Sequence, residues 1–228
     1  MPALTDHFRL MLRYNWAFRF LIIYIPLCFL LPLSALTRSV ALDGSQDYTS
    51  IQSAINDCNN GDTVMVYPGR YFENVVFGGK IITLCSLEAA TGDSSFISTT
   101  IIDGNNANPC VSFVNEEQGV TLRGLTLEHG IGHLAGANDE RYGGGVFMYF
   151  NCEISITNCV ITNNRAVLGG GVFANESSVN IAGTKIYNNH ASASGGGMFI
   201  WGSRHSTPDI VFDEVNRCSV YENYSTNP

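Results

Sequence analysis

Three glycine triplets, at residues 143–145, 169–171 and 195–197, recur every 26 residues, and each is followed by a short apolar run. The runs read Val146-Phe147-Met148, Val172-Phe173-Ala174 and Met198-Phe199-Ile200. A fixed period of this length is the mark of a solenoid, in which each repeat buries its apolar face only by stacking on its neighbours. Few other features restrict the architecture so tightly.

Two further segments keep the same period. Cys159-Val160-Ile161-Thr162-Asn163-Asn164 aligns with Thr184-Lys185-Ile186-Tyr187-Asn188-Asn189 and with Cys218-Ser219-Val220-Tyr221-Glu222-Asn223. An earlier, looser copy is Leu125-Thr126-Leu127-Glu128-His129-Gly130. Ile154-Ser155-Ile156, Val179-Asn180-Ile181 and Ile210-Val211-Phe212 supply a third strand per repeat. Three short strands per turn predict a three-sided parallel β-helix, each strand bonded to its equivalents about 4.8 Å above and below. Ile161, Ile186 and Val220 then stack as an interior column. Asn164, Asn189 and Asn223 form a ladder at the corner, where side-chain amides bond along the stack. Glycine ahead of the next strand provides positive φ and room between coils.

The chain has 228 residues, 45% of them apolar and 14% charged, which fits a thinly charged β body and not a disordered one. Residues 1–35 read as an export signal: Arg9, Arg13 and Arg19 precede an apolar stretch at 20–33, and Leu33-Ser34-Ala35 offers small residues for cleavage. That stretch is broken by Pro26 and Pro32 and is short for a membrane span. Without the leader the net charge moves from −8 to −10, with 9 basic against 19 acidic residues. An exported acidic body excludes nucleic acid as a partner and leaves the membrane only the leader to engage. Cys58, Cys85, Cys110, Cys152, Cys159 and Cys218 show no metal-type spacing and are expected as free, inward-facing thiols.

Ahead of the repeats, Thr49-Ser50-Ile51-Gln52 has the form of a capping box, with Thr49 as the cap and Ile51, Ala54 and Ile55 on one face of a short helix. Gly61 stops it, and Thr63-Val64-Met65-Val66-Tyr67 reads as a strand closed by Pro68-Gly69. The ordered segment from Asp47-Tyr48-Thr49 through Val66-Tyr67-Pro68-Gly69-Arg70-Tyr71-Phe72-Glu73-Asn74-Val75 resembles the N-terminal cap and first coil of the pectin-lyase-like right-handed parallel β-helix superfamily. The triplet repeats are similar to those of polymorphic outer-membrane autotransporter passengers and related bacterial surface proteins. The resemblance implies an all-β, right-handed, three-sided parallel β-helix with a short N-terminal capping helix. It places cap and first coil at 42–75 and further coils at 76–228. The chain stops at Pro228 in what reads as the next corner, so a truncated solenoid that self-associates through its uncapped last coil is expected.

Enzymes of that superfamily carry polygalacturonase-like motifs or paired aspartates with glutamine and arginine, and these strands carry Ile, Val, Thr, Ser and Asn instead. Glu128-His129-Gly130 falls on a repeat corner, and Asp93, Asp103 and Asp139 read as scattered. A polar excursion at 132–142 contains His133, Asp139, Glu140, Arg141 and Tyr142, the residues most able to make a ligand site. Asp213, Glu214 and His205 form a weaker set, beside a second excursion at 202–208. Calcium is the one cofactor the first loop's oxygens suggest, and two carboxylates are too few to hold it, so no cofactor is expected. Tyr142, Tyr149, Phe150, Tyr187, Trp201 and Tyr221 are candidates for a sugar-stacking face, with Tyr187 and Tyr221 stacked on each other. Asn175-Glu176-Ser177 and Asn223-Tyr224-Ser225 match the glycosylation sequon. The expected function is a secreted or surface-exposed, non-catalytic, carbohydrate-binding or adhesin-like β-helix whose partner is a polysaccharide or surface glycan. The alternatives are a polyuronate lyase or esterase with an incomplete site, and a structural segment of a longer surface passenger.

Overall fold

The computed structural model describes residues 35–135, 139–202, 210–212 and 219–226. The leader up to residue 34, the excursion after Gly202, and His205, Asp213, Glu214 and Cys218 lie outside the described residues.

The chain winds as successive coils. In order it forms β1 (Thr37–Val40), α1 (Ile51–Asp57), β2 (Thr63–Val66), β3 (Gly69–Phe72), β4 (Val75–Val76), β5 (Thr83–Ser86), α2 (Glu88–Thr91) and α3 (Ser95–Thr99). Next come β6 (Thr100–Asp103), β7 (Val111–Phe113), β8 (Gln118–Arg123), β9 (Thr126–Glu128), β10 (His133–Leu134), β11 (Arg141–Tyr142) and β12 (Val146–Tyr149). The regular coils follow: β13 (Glu153–Thr157), β14 (Val160–Thr162), β15 (Arg165–Leu168), β16 (Val172–Asn175), β17 (Ser178–Ala182), β18 (Lys185–Tyr187), β19 (His190–Ser194) and β20 (Met198–Trp201). The last described strands are β21 (Ile210–Phe212), β22 (Ser219–Tyr221) and β23 (Tyr224–Ser225).

These strands stack into three long faces. Sheet A is β1-β2-β5-β8-β13-β17-β21, sheet B is β3-β6-β9-β14-β18-β22, and sheet C is β4-β7-β12-β16-β20. Every pairing within them is parallel, as a solenoid requires. Sheet A already begins at Thr37, ahead of the start at Leu42 read from the sequence. A fourth ladder, sheet D (β10-β11-β15-β19-β23), fills the corner between B and C, where the sequence had suggested a plain turn.

Alternation along each strand sends one set of side chains inward, in register from coil to coil. On sheet B the inner column is Tyr71, Ile102, Leu127, Ile161, Ile186 and Val220. On sheet A, Val120 and Leu122 stack on Ile154 and Ile156, which stack on Val179 and Ile181. Each fully buried Ile or Leu in such a column contributes about 1.5–3 kcal/mol. Cys58, Cys85, Cys110, Cys152 and Cys159 are free and buried in the same interior. Burial pushes the Cys110 and Cys159 thiols up to about 12, so they pack as small hydrophobes and are poor nucleophiles.

Corners are set by left-handed residues and by glycine. Gly143, Gly169 and Gly195 have φ of +66°, +65° and +68°. The middle and last glycines serve close approach: a Cβ on Gly170 would strike the carbonyl oxygens of His190 and Gly196, and one on Gly171 that of Gly197.

Helix α1 starts one residue later than its capping-box reading. Ser50, not Thr49, is the cap, accepting from Ser53 N at 3.3 Å. Gln52 does not fold back onto the cap; its amide pairs with the backbone of Val76. The Glu73 carboxylate takes over, accepting from Ile51 N and Gln52 N at 2.9 Å each. A carboxylate satisfies two orphan donors at once and suits the positive end of the helix, so it outcompetes the local amide.

Candidate functional site

The loop at 132–142 is a hairpin. Strands β10 and β11 pair antiparallel, with His133 opposite Tyr142 and Leu134 opposite Arg141. Their side chains fold over the outer face of sheet C, where Phe147, Phe173 and Phe199 stack in near-parallel succession at 5.7 and 6.0 Å. His133 stacks on Phe147 at 4.5 Å and Tyr142 on Phe173 at 5.0 Å. Arg141, Tyr142 and Glu140 spend polar atoms within the fold. Arg141 donates to the carbonyls of Ala107 and Gly132, and Tyr142 Oη donates to Glu140 Oε2 at 2.5 Å. That bond raises the Tyr142 pKa, while burial, then the Arg141 charge, lowers that of His133. Asp139 faces solvent at φ +61°. The five residues singled out from the sequence thus come together, and four of them serve as a brace over an aromatic ladder.

Asn164, Asn189 and Asn223 bond as a continuous rail. Asn189 Oδ1 accepts from both the backbone N and Nδ2 of Asn164 at 3.0 Å, and Asn223 Oδ1 does the same for Asn189. Asn164 Oδ1 continues the rail to Gly130 N at 2.8 Å.

Asp103 is not isolated, contrary to its reading as one of several scattered aspartates. The repeat register puts Asp103 on β6 beside Glu128 on β9. Arg70 Nη1 bridges the two carboxylates, 2.5 Å from Glu128 Oε1 and in direct contact with Asp103. His129 Nδ1 lies 2.9 Å from Asp103 Oδ2, and Asn105 N donates to Oδ1. Extending the 26-residue alignment back through Ile102-Asp103 and Leu127-Glu128 would have found this pair; the divergent early coils hid it. Burial pushes the Asp103 carboxyl up, but the bonds from His129, Asn105 and Arg70 outweigh it and hold the group below the ordinary carboxylate range. A general acid needs the opposite shift. Asp103, Glu128 and His129 offer ligand atoms within 4.8 Å of one another, yet Arg70 already fills the place of a cation. The cluster is a clamp between coils.

The aromatic residues do not share one face. Tyr187 and Tyr221 stack at 5.1 Å on sheet B, and Tyr142 covers sheet C. Tyr149, Phe150 and Trp201 gather where sheet C turns toward sheet A. Tyr149, Asn175 and Trp201 are in register at the ends of β12, β16 and β20, which puts the outer two about 9.6 Å apart. Tyr149 is 46% exposed, Trp201 56% and Phe150 44%. Both strand-end rings are rooted in the phenylalanine ladder: Tyr149 lies parallel to Phe147 at 6.2 Å, and Trp201 meets Phe199 edge-on at 6.4 Å. Phe150 has φ +61°, the left-handed corner conformation that Glu176 and Gly202 repeat in the next coils. Beside it opens a cavity of about 430 Å³ lined by Val114, Asn115, Glu116, Tyr149 and Phe150.

No known family model and no curated protein matches the chain in sequence. In structure it is similar to pectin methylesterase from carrot, with a TM-score of 0.50 and 18% identity over 81% of this chain and 63% of that one. It is also similar to a mutant pectin methylesterase in complex with a hexasaccharide, with a TM-score of 0.45 and 10% identity over 85% of this chain and 62% of that one. The chain therefore spans less than two thirds of either protein's length. The likeness shows the fold, a right-handed parallel β-helix.

Proposed function

We propose that this chain is an exported, non-catalytic glycan-binding β-helix, and that the ledge of Tyr149, Phe150, Asn175 and Trp201 holds the sugar. The observation that carries the reading is the ledge itself. Two exposed rings stand two coils apart with an amide between them, and because Tyr149 lies parallel to the phenylalanine ladder and Trp201 edge-on to it their planes are nearly perpendicular, which suits a bent or branched glycan that presents sugar C–H faces in two directions. Exposed aromatics held rigid by packing bind at low entropic cost. Glu116 and Glu153 lie at the same corner and disfavour a polyanion, so the ligand is a neutral glycan. The basic-then-apolar order of residues 1–35 supports export.

The clamped state of Asp103 and Glu128 supports the absence of catalysis on sheet B, and the fold neighbour's esterase activity is not carried over with the fold. Display of the chain on a neutral and acidic glycan panel tests the reading, alongside incubation with pectin, polygalacturonate and alginate with and without Ca²⁺. Retention of neutral glycans without turnover is expected. Release of methanol or unsaturated uronides would establish the esterase or lyase alternative instead.

A further inference from the structure

A second groove runs along the corner between sheets B and D, away from the aromatic ledge and independent of the reading above. Its floor is a column of left-handed residues, His129, Asn163 and Asn188, with φ of +56°, +56° and +54°. That conformation turns each side chain outward, one per coil. The facing wall is a second column in register, Arg165, His190 and Tyr224. Together these six residues line most of a cavity of about 360 Å³.

On a chain of net charge −8, the other described arginines are all engaged: Arg38, Arg70 and Arg123 in ion pairs, and Arg141 on backbone carbonyls. Arg165 is exposed and makes no ion pair or side-chain hydrogen bond among the described residues. The His190 ring stacks on Tyr224 at 4.6 Å, and its Nε2 is buried with no hydrogen-bond partner. A buried polar atom left unmatched calls for a specific explanation, and an absent ligand is one. The side chains of Asn163 and Asn188, one coil apart, make no hydrogen bond among the described residues. The nearby carboxylates Asp103 and Glu128 share the single positive charge of Arg70, and Glu222 bounds the groove one step beyond Asn188, so Arg165 must hold an anion against this residual negative charge. Lys185, on the adjoining face of sheet B, makes no ion pair among the described residues.

We infer that this groove is an oxyanion site, in which the Arg165 fork grips a sulfate or phosphate group while His190 and the two asparagine amides complete its hydrogen bonds. A forked guanidinium with neutral donors around it is the arrangement that recognises such groups, whether free or esterified to a sugar. The experiment is calorimetric titration of the whole chain with inorganic sulfate, inorganic phosphate, and a sulfated oligosaccharide beside its desulfated parent, all at one ionic strength. Saturable binding is expected, weakened about tenfold or more by Arg165→Ala and only partly by Arg165→Lys, while Lys185→Ala leaves it within about threefold. Tighter binding of the sulfated sugar than of free sulfate would identify the carried ester as the source, and equal binding the free ion. The inference is overturned if sulfate and phosphate bind no better than chloride, or if Arg165→Ala, folded by circular dichroism, binds them as well as the parent.

Discussion

Asn189 shows how much of this molecule rests on single amides. It is fully buried and receives the backbone N–H of Asn164 on its oxygen, and its Nδ2 donates to Ile161 O, Tyr187 O and Asn223 Oδ1. Asn189→Ala would strand the Asn164 N–H and at least one carbonyl in the interior. Leaving a buried polar group unmatched costs about 1–3 kcal/mol, so a loss of about 3 kcal/mol in urea-unfolding stability is expected. The same truncation at exposed Asn188, whose amide bonds nothing described, should cost about 0.5 kcal/mol or less. Equal losses at the two positions would mean that the rail does not carry the corner. Adjacent residues in the sequence thus do opposite work, one inward as structure and one outward as surface.

At the scale of one element, the hairpin of β10 and β11 is expected to act as a pH-sensitive clasp. Burial and the Arg141 charge depress the His133 pKa in the folded state below its ordinary value near about 6.5. The folded state therefore prefers the neutral ring stacked on Phe147, and the unfolded or undocked segment takes up a proton more readily. Docking stability is complete above about pH 6.5 and falls as the pH drops toward the depressed value. Amide-exchange protection of residues 132–142, corrected for intrinsic rates, should decline between pH 7.5 and 5.5, while that of β14 and β18 holds. In His133→Phe the decline should vanish; a decline that persists would place the titrating group elsewhere. The clasp covers Phe147 and Phe173, so its release would also expose the ladder that roots Tyr149.

For the whole molecule, legibility in the sequence followed the strictness of the repeat. The last coils repeat residue for residue, so the inner columns through Ile161 and Ile186 and the rail through Asn164 and Asn189 follow from the 26-residue alignment alone. The early coils carry helices α2 and α3 between β5 and β6, which displaced the register and concealed the meeting of Asp103 with Glu128. Sheet D was hidden for another reason. Arg165-Ala166-Val167-Leu168 and His190-Ala191-Ser192-Ala193-Ser194 share little composition, and strands at a corner pair through backbone atoms that the sequence does not display. The aromatic residues were visible as types, but only the coil register separated the ledge of Tyr149 and Trp201 from the stacked pair on sheet B and from Tyr142 over the ladder.

The most direct test of glycan binding at the ledge is a double-mutant cycle with Tyr149→Ala and Trp201→Ala, read by calorimetry against a neutral bent or branched oligosaccharide of at least about four pyranose units, long enough to reach both rings at the coil spacing. Each single variant should weaken binding about tenfold, and shortening the ligand until it reaches only one ring should abolish the effect of the other substitution. Binding that is unchanged in the double variant, with the fold intact, would contradict the ledge as the sugar site.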